Sequence, residues 1–401
     1  MRLWLPILLG LVLPTTALCA DRFDKSRFLR TLGGRNEESK LRVLHRLQTE
    51  FRDRPESGEV LIEATRTLRQ KLEERQKRPI PASAFRIVRA LGECRTAAAE
   101  EAFLALFDSP RRDIVIAACL AVQASRLDGA LESLKKLVDQ PNYETHHGFR
   151  HATLKAIATI ESPKSIQFLE ELFPRLTGRL RYEVWNYLHD EDVQRVRRDD
   201  DRPMDGFRNQ LTRYQRYSSQ SNSSFSQYYG VPIYADRLVF VFDRSGSMRR
   251  VVNGRTRLAR AKEELIQAIR GLPEQTSFNI VAYATDVRTW QSRLVSATAK
   301  NRKKAIRYVA RMQANNATST YSALMMALTL DDNTESIFLL SDGAPTKGRI
   351  VYPPAIVEAI STANALRACT INTVGLAITG STADFMNALA THNHGVYRPV
   401  H

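Results

Sequence analysis

Two different hydrophobic periods divide the chain. Over residues 38–198 apolar side chains recur every three to four positions and β-branched alternation is almost absent, which predicts helices throughout. Residues 85–92 with a second helix ending at 103–107, residues 116–122 with 131–138, and residues 151–158 with 168–173 each read as a helix pair. Ala90, Ala121 and Ala156 hold equivalent places, at steps of about 31 and 35 residues, a spacing at which helix pairs stack into an all-α solenoid. A fainter fourth copy runs through Trp185 and Leu188. From Arg237 onward near-continuous apolar runs at 238–242, 278–283, 337–340 and 370–376 predict buried strands, with shorter ones at 287–290 and 396–397. Helices are predicted between them at 305–312, 321–330, 355–368 and 385–389, and Leu258, Ala261, Leu265, Ala268, Ile269 and Leu272 share one further helical face. This alternation predicts a doubly wound α/β domain with a mostly parallel sheet covered on both faces. In such folds ligands sit beyond the carboxyl ends of the strands.

Between the two halves, residues 199–236 carry neither period. Asp199-Asp200-Asp201-Arg202-Pro203 breaks the helical pattern and a run rich in Ser, Gln, Asn and Tyr follows, which predicts a linker that is at least partly mobile. Arg208, Arg213, Tyr214, Arg216 and Tyr217 interleave basic and aromatic residues as single-stranded nucleic-acid binders do. Packing of those rings on the next domain is the alternative. At the amino end, Arg2, an apolar core over residues 3–13 and the small residues before Ala20 form an export signal, too short to span a bilayer. An uncleaved N-terminal anchor is the other reading of those residues. The expected division is residues 1–20 signal, 21–198 helical repeats, 199–236 linker and 237–401 α/β domain. Export to a periplasmic, extracellular or cell-surface location counts against nucleic acid as a partner.

The chain of 401 residues has a formal net charge of +16, which favours acidic partners. The surplus is uneven, with 21 Lys and Arg against 11 Asp and Glu from Arg237 onward. Beyond Cys19 there are three cysteines, Cys94, Cys119 and Cys369. An odd number in apolar contexts is no disulfide framework and predicts small core residues, with a Cys94–Cys119 bridge as the alternative.

Candidate chemistry concentrates at strand ends. Asp243, Ser245 and Ser247 form a D-x-S-x-S run directly after the strand at 238–242. Asp342 follows the strand at 337–340, and Thr318 precedes the helix that contains Tyr321. All five would reach one rim of the sheet, and hydroxyl and carboxylate oxygens suit Mg²⁺, with Mn²⁺ or Ca²⁺ as alternatives.

On these residues, Phe242-Asp243-Arg244-Ser245-Gly246-Ser247-Met248, Thr318 and Leu340-Ser341-Asp342-Gly343, the segment 237–401 resembles a von Willebrand factor type A domain bearing a metal-ion-dependent adhesion site. The resemblance implies that Ser245, Ser247 and Thr318 bind the cation directly. Asp243 and Asp342 would act largely through water, so that a partner's carboxylate completes the coordination. Asn316-Ala317 stands where the family commonly has Gly-Gly, and Thr320 is the rival to Thr318. The helical stretch resembles HEAT-type repeats, which present surfaces to partners. Helical repeats before a type A domain also resemble the Ro ribonucleoprotein family, which binds small RNAs.

Arg244, Arg249, Arg250, Arg255 and Arg257 would set a positive rim beside the cation, which predicts a protein partner offering Asp or Glu. His146, His147 and His151 lack the intervening Glu of an H-E-x-x-H site and read as a solvated helix entry capped by Thr145. His392, His394 and His401 read as surface residues. Neither a G-x-S-x-G elbow nor a phosphate-cradling glycine loop is present. The expectation is metal-dependent protein binding in adhesion or scaffolding, with no enzymatic activity. Ro-like RNA binding is the alternative, and a third reading, an accessory subunit of a nucleotide-driven chelatase, needs a cytoplasmic location.

Overall fold

The structure is a computed structural model that describes residues 23–74, 80–141, 143–190 and 226–400. The export signal with Cys19, residues 199–225 of the expected linker with its basic and aromatic run, and His401 lie outside the described residues.

The amino-terminal half is helical: α1 (Lys25–Gly33), α2 (Glu37–Gln48), α3 (Pro55–Glu73), α4 (Ala82–Gly92), α5 (Ala97–Leu104), α6 (Arg112–Ser125), α7 (Leu131–Val138), α8 (His147–Ile160), α9 (Pro163–Leu172) and α10 (Gly178–Leu188). Helix α4 packs on α6 and α6 on α8, with Ala90, Ala121 and Ala156 all buried. Small residues at these places let the helix axes approach closely. Helix ends follow local chemistry. Arg126 and Glu161 take left-handed conformations after α6 and α8, and Ser162 and Ser165 form a reciprocal capping box that opens α9 at Pro163. The histidines depart from the expected solvated entry. His146, not Thr145, caps α8, its Nδ1 accepting from the Phe149 N–H at 3.2 Å, and both His146 and His147 are buried. The next residue, Gly148, lies against the Leu366 carbonyl, so both rings sit where α8 meets the second domain and are shielded from solvent there. Cys94, Cys119 and Cys369 are unbridged.

The carboxyl half is an α/β domain. Its sheet runs β11 (Tyr397–Val400), β10 (Thr370–Leu376), β9 (Ser336–Ser341), β3 (Arg237–Asp243), β6 (Ser277–Tyr283) and β7 (Val287–Thr289), and the short β8 (Val295–Ser296) also pairs with β6. All neighbours are parallel except β7 and β8. The period of two along β3 sorts the core. Leu238, Phe240 and Phe242 pack with α11 (Arg257–Gly271) and α12 (Ala299–Ala310) on one face. Val239 and Val241 pack with α13 (Thr320–Thr329), α14 (Pro353–Asn364) and α15 (Gly380–His392) on the other. Helix α14 stops at Asn364, short of the expected 368, because the Asn364 side chain turns the chain by bonding the N–H and carbonyl of Cys369.

Residues 226–236 are not linker. They hold a hairpin, β1 (Ser226–Tyr228) and β2 (Val231–Ile233), whose Tyr228, Val231 and Ile233 are buried in the first core. Nor do the two halves stand apart. The N–H of Arg179, in the first turn of α10, donates to Glu335 Oε2 at 3.0 Å, Tyr182 stacks on Tyr234 at 3.8 Å, and Gly148 lies against the Leu366 carbonyl.

Candidate metal centre

Asp243 ends β3 and Asp342 directly follows β9, the strand hydrogen-bonded beside it, so the register alone brings both carboxylates to one rim. Backbone bonds then stitch three loops together. Asn315 N–H donates to Arg244 O at 2.7 Å and Gly246 N–H to Asn316 O at 3.1 Å, joining the first loop to the second. A Cβ on Gly246 would lie 3.2 Å from that same carbonyl, so the approach favours glycine. The second loop is held to the third through Thr318, whose carbonyl accepts from the N–H groups of Thr346 and Lys347 and whose N–H donates to Thr346 Oγ1 at 2.9 Å. Side chains close the circuit, with Ser247 Oγ donating to Asp342 Oδ1 at 2.6 Å and lying 3.0 Å from Ser245 Oγ.

The structure thus brings Asp243, Ser245, Ser247 and Asp342 into one hydrogen-bonded chain and clamps the Thr318 backbone beside it. Asp243, Ser245, Thr318 and Asp342 are buried, while Ser247 is exposed and opens the cluster to solvent. Thr320 occupies the first turn of α13 with its hydroxyl buried and, among the described residues, without a hydrogen-bond partner.

The carboxylates are already engaged by protein donors. Asp243 Oδ1 accepts from the Ser245 N–H at 2.7 Å, and its Oδ2 accepts from Ser341 Oγ at 2.6 Å and Tyr283 OH at 3.4 Å. Burial pushes the Asp243 carboxyl up to about 6, against the lowering effect of the Ser341 and Ser245 hydrogen bonds. Asp342 Oδ2 accepts from Arg257 Nη1 at 2.9 Å. Oxygen is the only donor atom type offered, with two carboxylates and no imidazole or thiolate, and this set fits a hard divalent cation. No group of three or more His, Cys, Asp or Glu converges among the described residues. The hydroxyls of Ser245 and Ser247 and the side chain of Thr318 would hold the ion directly, with Asp243 and Asp342 behind them.

Arg257 departs from the expected positive rim. It is the first residue of α11, its side chain is 9% exposed, and it lies inside, ion-paired to Asp342. Arg244 pairs with Asp286, Arg255 with Glu263, and Arg249 donates to the Ala314 carbonyl. Sequence reasoning missed Tyr283 and Ser341, the supports of Asp243. Only the position of Ser341, next to Asp342, could have flagged it. The hairpin β4 (Val251–Val252) and β5 (Arg255–Thr256) was also missed. Asn253-Gly254 at its tip, both with positive φ, is a recognised two-residue turn signal.

Residues 236–399 match the sequence profile of the von Willebrand factor type A domain. The carboxyl half is a type A domain. Among curated proteins, this chain is 31% identical to human inter-alpha-trypsin inhibitor heavy chain H4 over 194 residues, covering 45% of this chain and 20% of that protein. It is 30% identical to mouse inter-alpha-trypsin inhibitor heavy chain 4 over 139 residues, covering 32% and 14% respectively. The chain therefore matches a fifth or less of the length of these relatives. Among solved structures, a von Willebrand factor type A protein from Catenulispora acidiphila is 23% identical at a TM-score of 0.36, over 41% of this chain and 38% of that one. The pilus adhesin SpaC of Lactobacillus rhamnosus GG is 14% identical at a TM-score of 0.35, over 41% and 28%.

Proposed function

We propose that this is an exported protein-binding protein whose type A domain takes an acidic side chain of a partner onto a bound Mg²⁺, serving adhesion or scaffolding without bond-breaking chemistry. The type A domain points to protein interaction. The finer reading rests on one observation, the three-loop circuit in which Ser247 links Ser245 to Asp342 while the Thr318 loop is clamped alongside. Bound there, the cation would supply Lewis acidity toward a carboxylate oxygen. Ser245, Ser247 and Thr318 would orient that contact. Asp243 and Asp342, already bonded to protein donors, would contribute charge and fix the loops. The helix pairs α4–α5, α6–α7 and α8–α9 would form a HEAT-like unit that presents a second surface.

The proposal is tested by calorimetric titration of the full chain with MnCl₂ and MgCl₂. One ion per chain is expected for the wild type, with uptake weakened at least about tenfold in Asp243→Ala. A wild type that takes up neither metal would overturn the reading.

A further inference from the structure

Five large apolar side chains are exposed among the described residues, and three of them, Val251, Val351 and Tyr352, lie on the two segments that leave the candidate centre. Val251 opens the β4–β5 hairpin just after Ser247, and is 62% exposed. The hairpin is tied to the first loop, since Arg250 N–H donates to Ser247 O and Arg257 N–H to Arg250 O, both at 2.9 Å. Val351 and Tyr352 end the loop that begins at Asp342, and Tyr352, 67% exposed, caps α14. That loop is bonded over Thr318 and passes Gly348 against Ser322 of α13. The hairpin thus rises from the Ser247 side of the centre and the loop from the Thr318 side.

The same segments carry one sign of charge. No acidic residue lies between Asp243 and Glu263, between Asp286 and Asp331, or between Asp342 and Glu358. Arg250, Lys347 and Arg349 are exposed within them. Val351 and Tyr352 are consecutive, Val251 stands on the separate hairpin, and apolar exposure flanked in this way by charge of one sign suits an interaction surface.

We propose that the hairpin and the loop form a two-sided docking rim for an extended acidic segment of a partner protein. In that segment the Asp or Glu offered to the metal stands beside an aromatic or branched aliphatic residue. The basic side chains steer and orient an anionic chain, while Val251, Val351 and Tyr352 bury the neighbouring apolar side chain, the kind of contact that dominates interface energetics. A nucleic acid would meet the charge but not the aliphatic members, which offer bases no stacking face. This inference rests on the metal reading, and the experiment separates the two.

Phage displaying random dodecapeptides are panned on the immobilised full chain in Mn²⁺, and uptake of Mn²⁺ is measured by calorimetry on the same preparations. Enrichment of peptides with Asp or Glu next to an aromatic or branched aliphatic residue is expected. The exposed-surface double variants Arg250→Glu/Arg349→Glu and Val251→Ser/Tyr352→Ser should each weaken the enriched peptide about tenfold while Mn²⁺ uptake stays unchanged. A wild type that takes up Mn²⁺ but enriches no acidic–apolar motif, or whose peptide binds the rim variants equally, overturns the inference. So does an oligouridine that binds as tightly as the best peptide in the presence of chelator. A wild type without Mn²⁺ uptake sinks the metal reading and this inference with it.

Discussion

Arg257 compensates one of the two carboxylates of the candidate centre. Its guanidinium donates to Asp342 Oδ2 at 2.9 Å and to the Ala377 carbonyl at 3.4 Å, inside a site whose second carboxylate, Asp243, is fully buried. Removing one member of a buried ion pair leaves the other uncompensated. Arg257→Met should therefore cost about 3 kcal/mol in chelator. Mn²⁺ would replace the lost positive charge beside Asp342, so the metal-dependent rise in unfolding midpoint should be larger in the variant than in the wild type. Scanning fluorimetry with Mn²⁺ and with EDTA checks this, and a loss that Mn²⁺ does not reduce would count against a cation beside Asp342. At this scale the sequence was informative where chemistry coincides with a strand end. Asp243 and Asp342 stand out because apolar runs stop at them. Arg257 does not, because its partner lies 85 positions away and its place at a helix start looks like any other solvated charge. Five arginines near a D-x-S-x-S run look alike in one dimension, whereas the fold buries this one and pairs Arg244 and Arg255 elsewhere.

Helix α10 is an element whose start is completed by another domain. Its N-cap Thr177 makes no capping hydrogen bond, and the N–H of Arg179 instead donates to Glu335 Oε2, which also accepts from the Asp236 N–H at 3.0 Å. Burial pushes the Glu335 carboxyl up to about 7, with the nearby Asp236 adding to the rise against two backbone hydrogen bonds that lower it. A carboxyl with a raised folded pKa stabilises the fold fully below its ordinary value, and that contribution is lost as pH climbs through about 7. Buried His146 and His147 act in the opposite sense, since burial lowers their pKa and stability falls as pH drops below the ordinary histidine range. From pH about 6.5 to 8.5 the histidines no longer contribute and Glu335 contributes most, since the effect of the raised Asp243 carboxyl, at about 6, is lost mostly below that window. Across it the wild type should lose about 1 kcal/mol of unfolding free energy, and Glu335→Gln, which keeps an acceptor oxygen but has no proton to lose, should lose less. Urea titrations at the two pH values read the difference. An equal loss in the variant would assign the dependence to other groups. Long elements were legible for a physical reason: seven-residue strands such as β6 and β10 are buried on both faces, so every side chain reports the same environment. Apart from β7, the strands of two or three residues, β1, β2, β4, β5 and β8, carry too little period to register, and only the Asn253-Gly254 and Tyr229-Gly230 turns betray two of those hairpins. That is why residues 226–236 read as linker.

The helical half docks at the end of the sheet opposite the candidate centre. Glu335 precedes β9, Asp236 precedes β3, and Leu366 precedes β10, so the described contacts at these residues fall at the amino ends of parallel strands. The candidate centre and its rim occupy the carboxyl ends. An incoming partner therefore meets a face that the helices leave open, and the two halves are joined where a partner would not compete. Gly148 is a point of close backbone approach in this junction, because a Cβ there would lie 2.0 Å from the Leu366 carbonyl oxygen, a backbone atom that no rotamer change can move aside. Gly148→Leu should accordingly force the halves apart while leaving each core, and the distant loops, intact. The expected outcome is a larger radius of gyration in small-angle scattering with unchanged Mn²⁺ affinity. An unchanged radius would mean that the Arg179–Glu335 bond and the Tyr182–Tyr234 stack hold the junction without Gly148. A Mn²⁺ affinity that fell with the expansion would show instead that the two ends of the sheet are energetically coupled, because the substituted residue touches no loop of the centre.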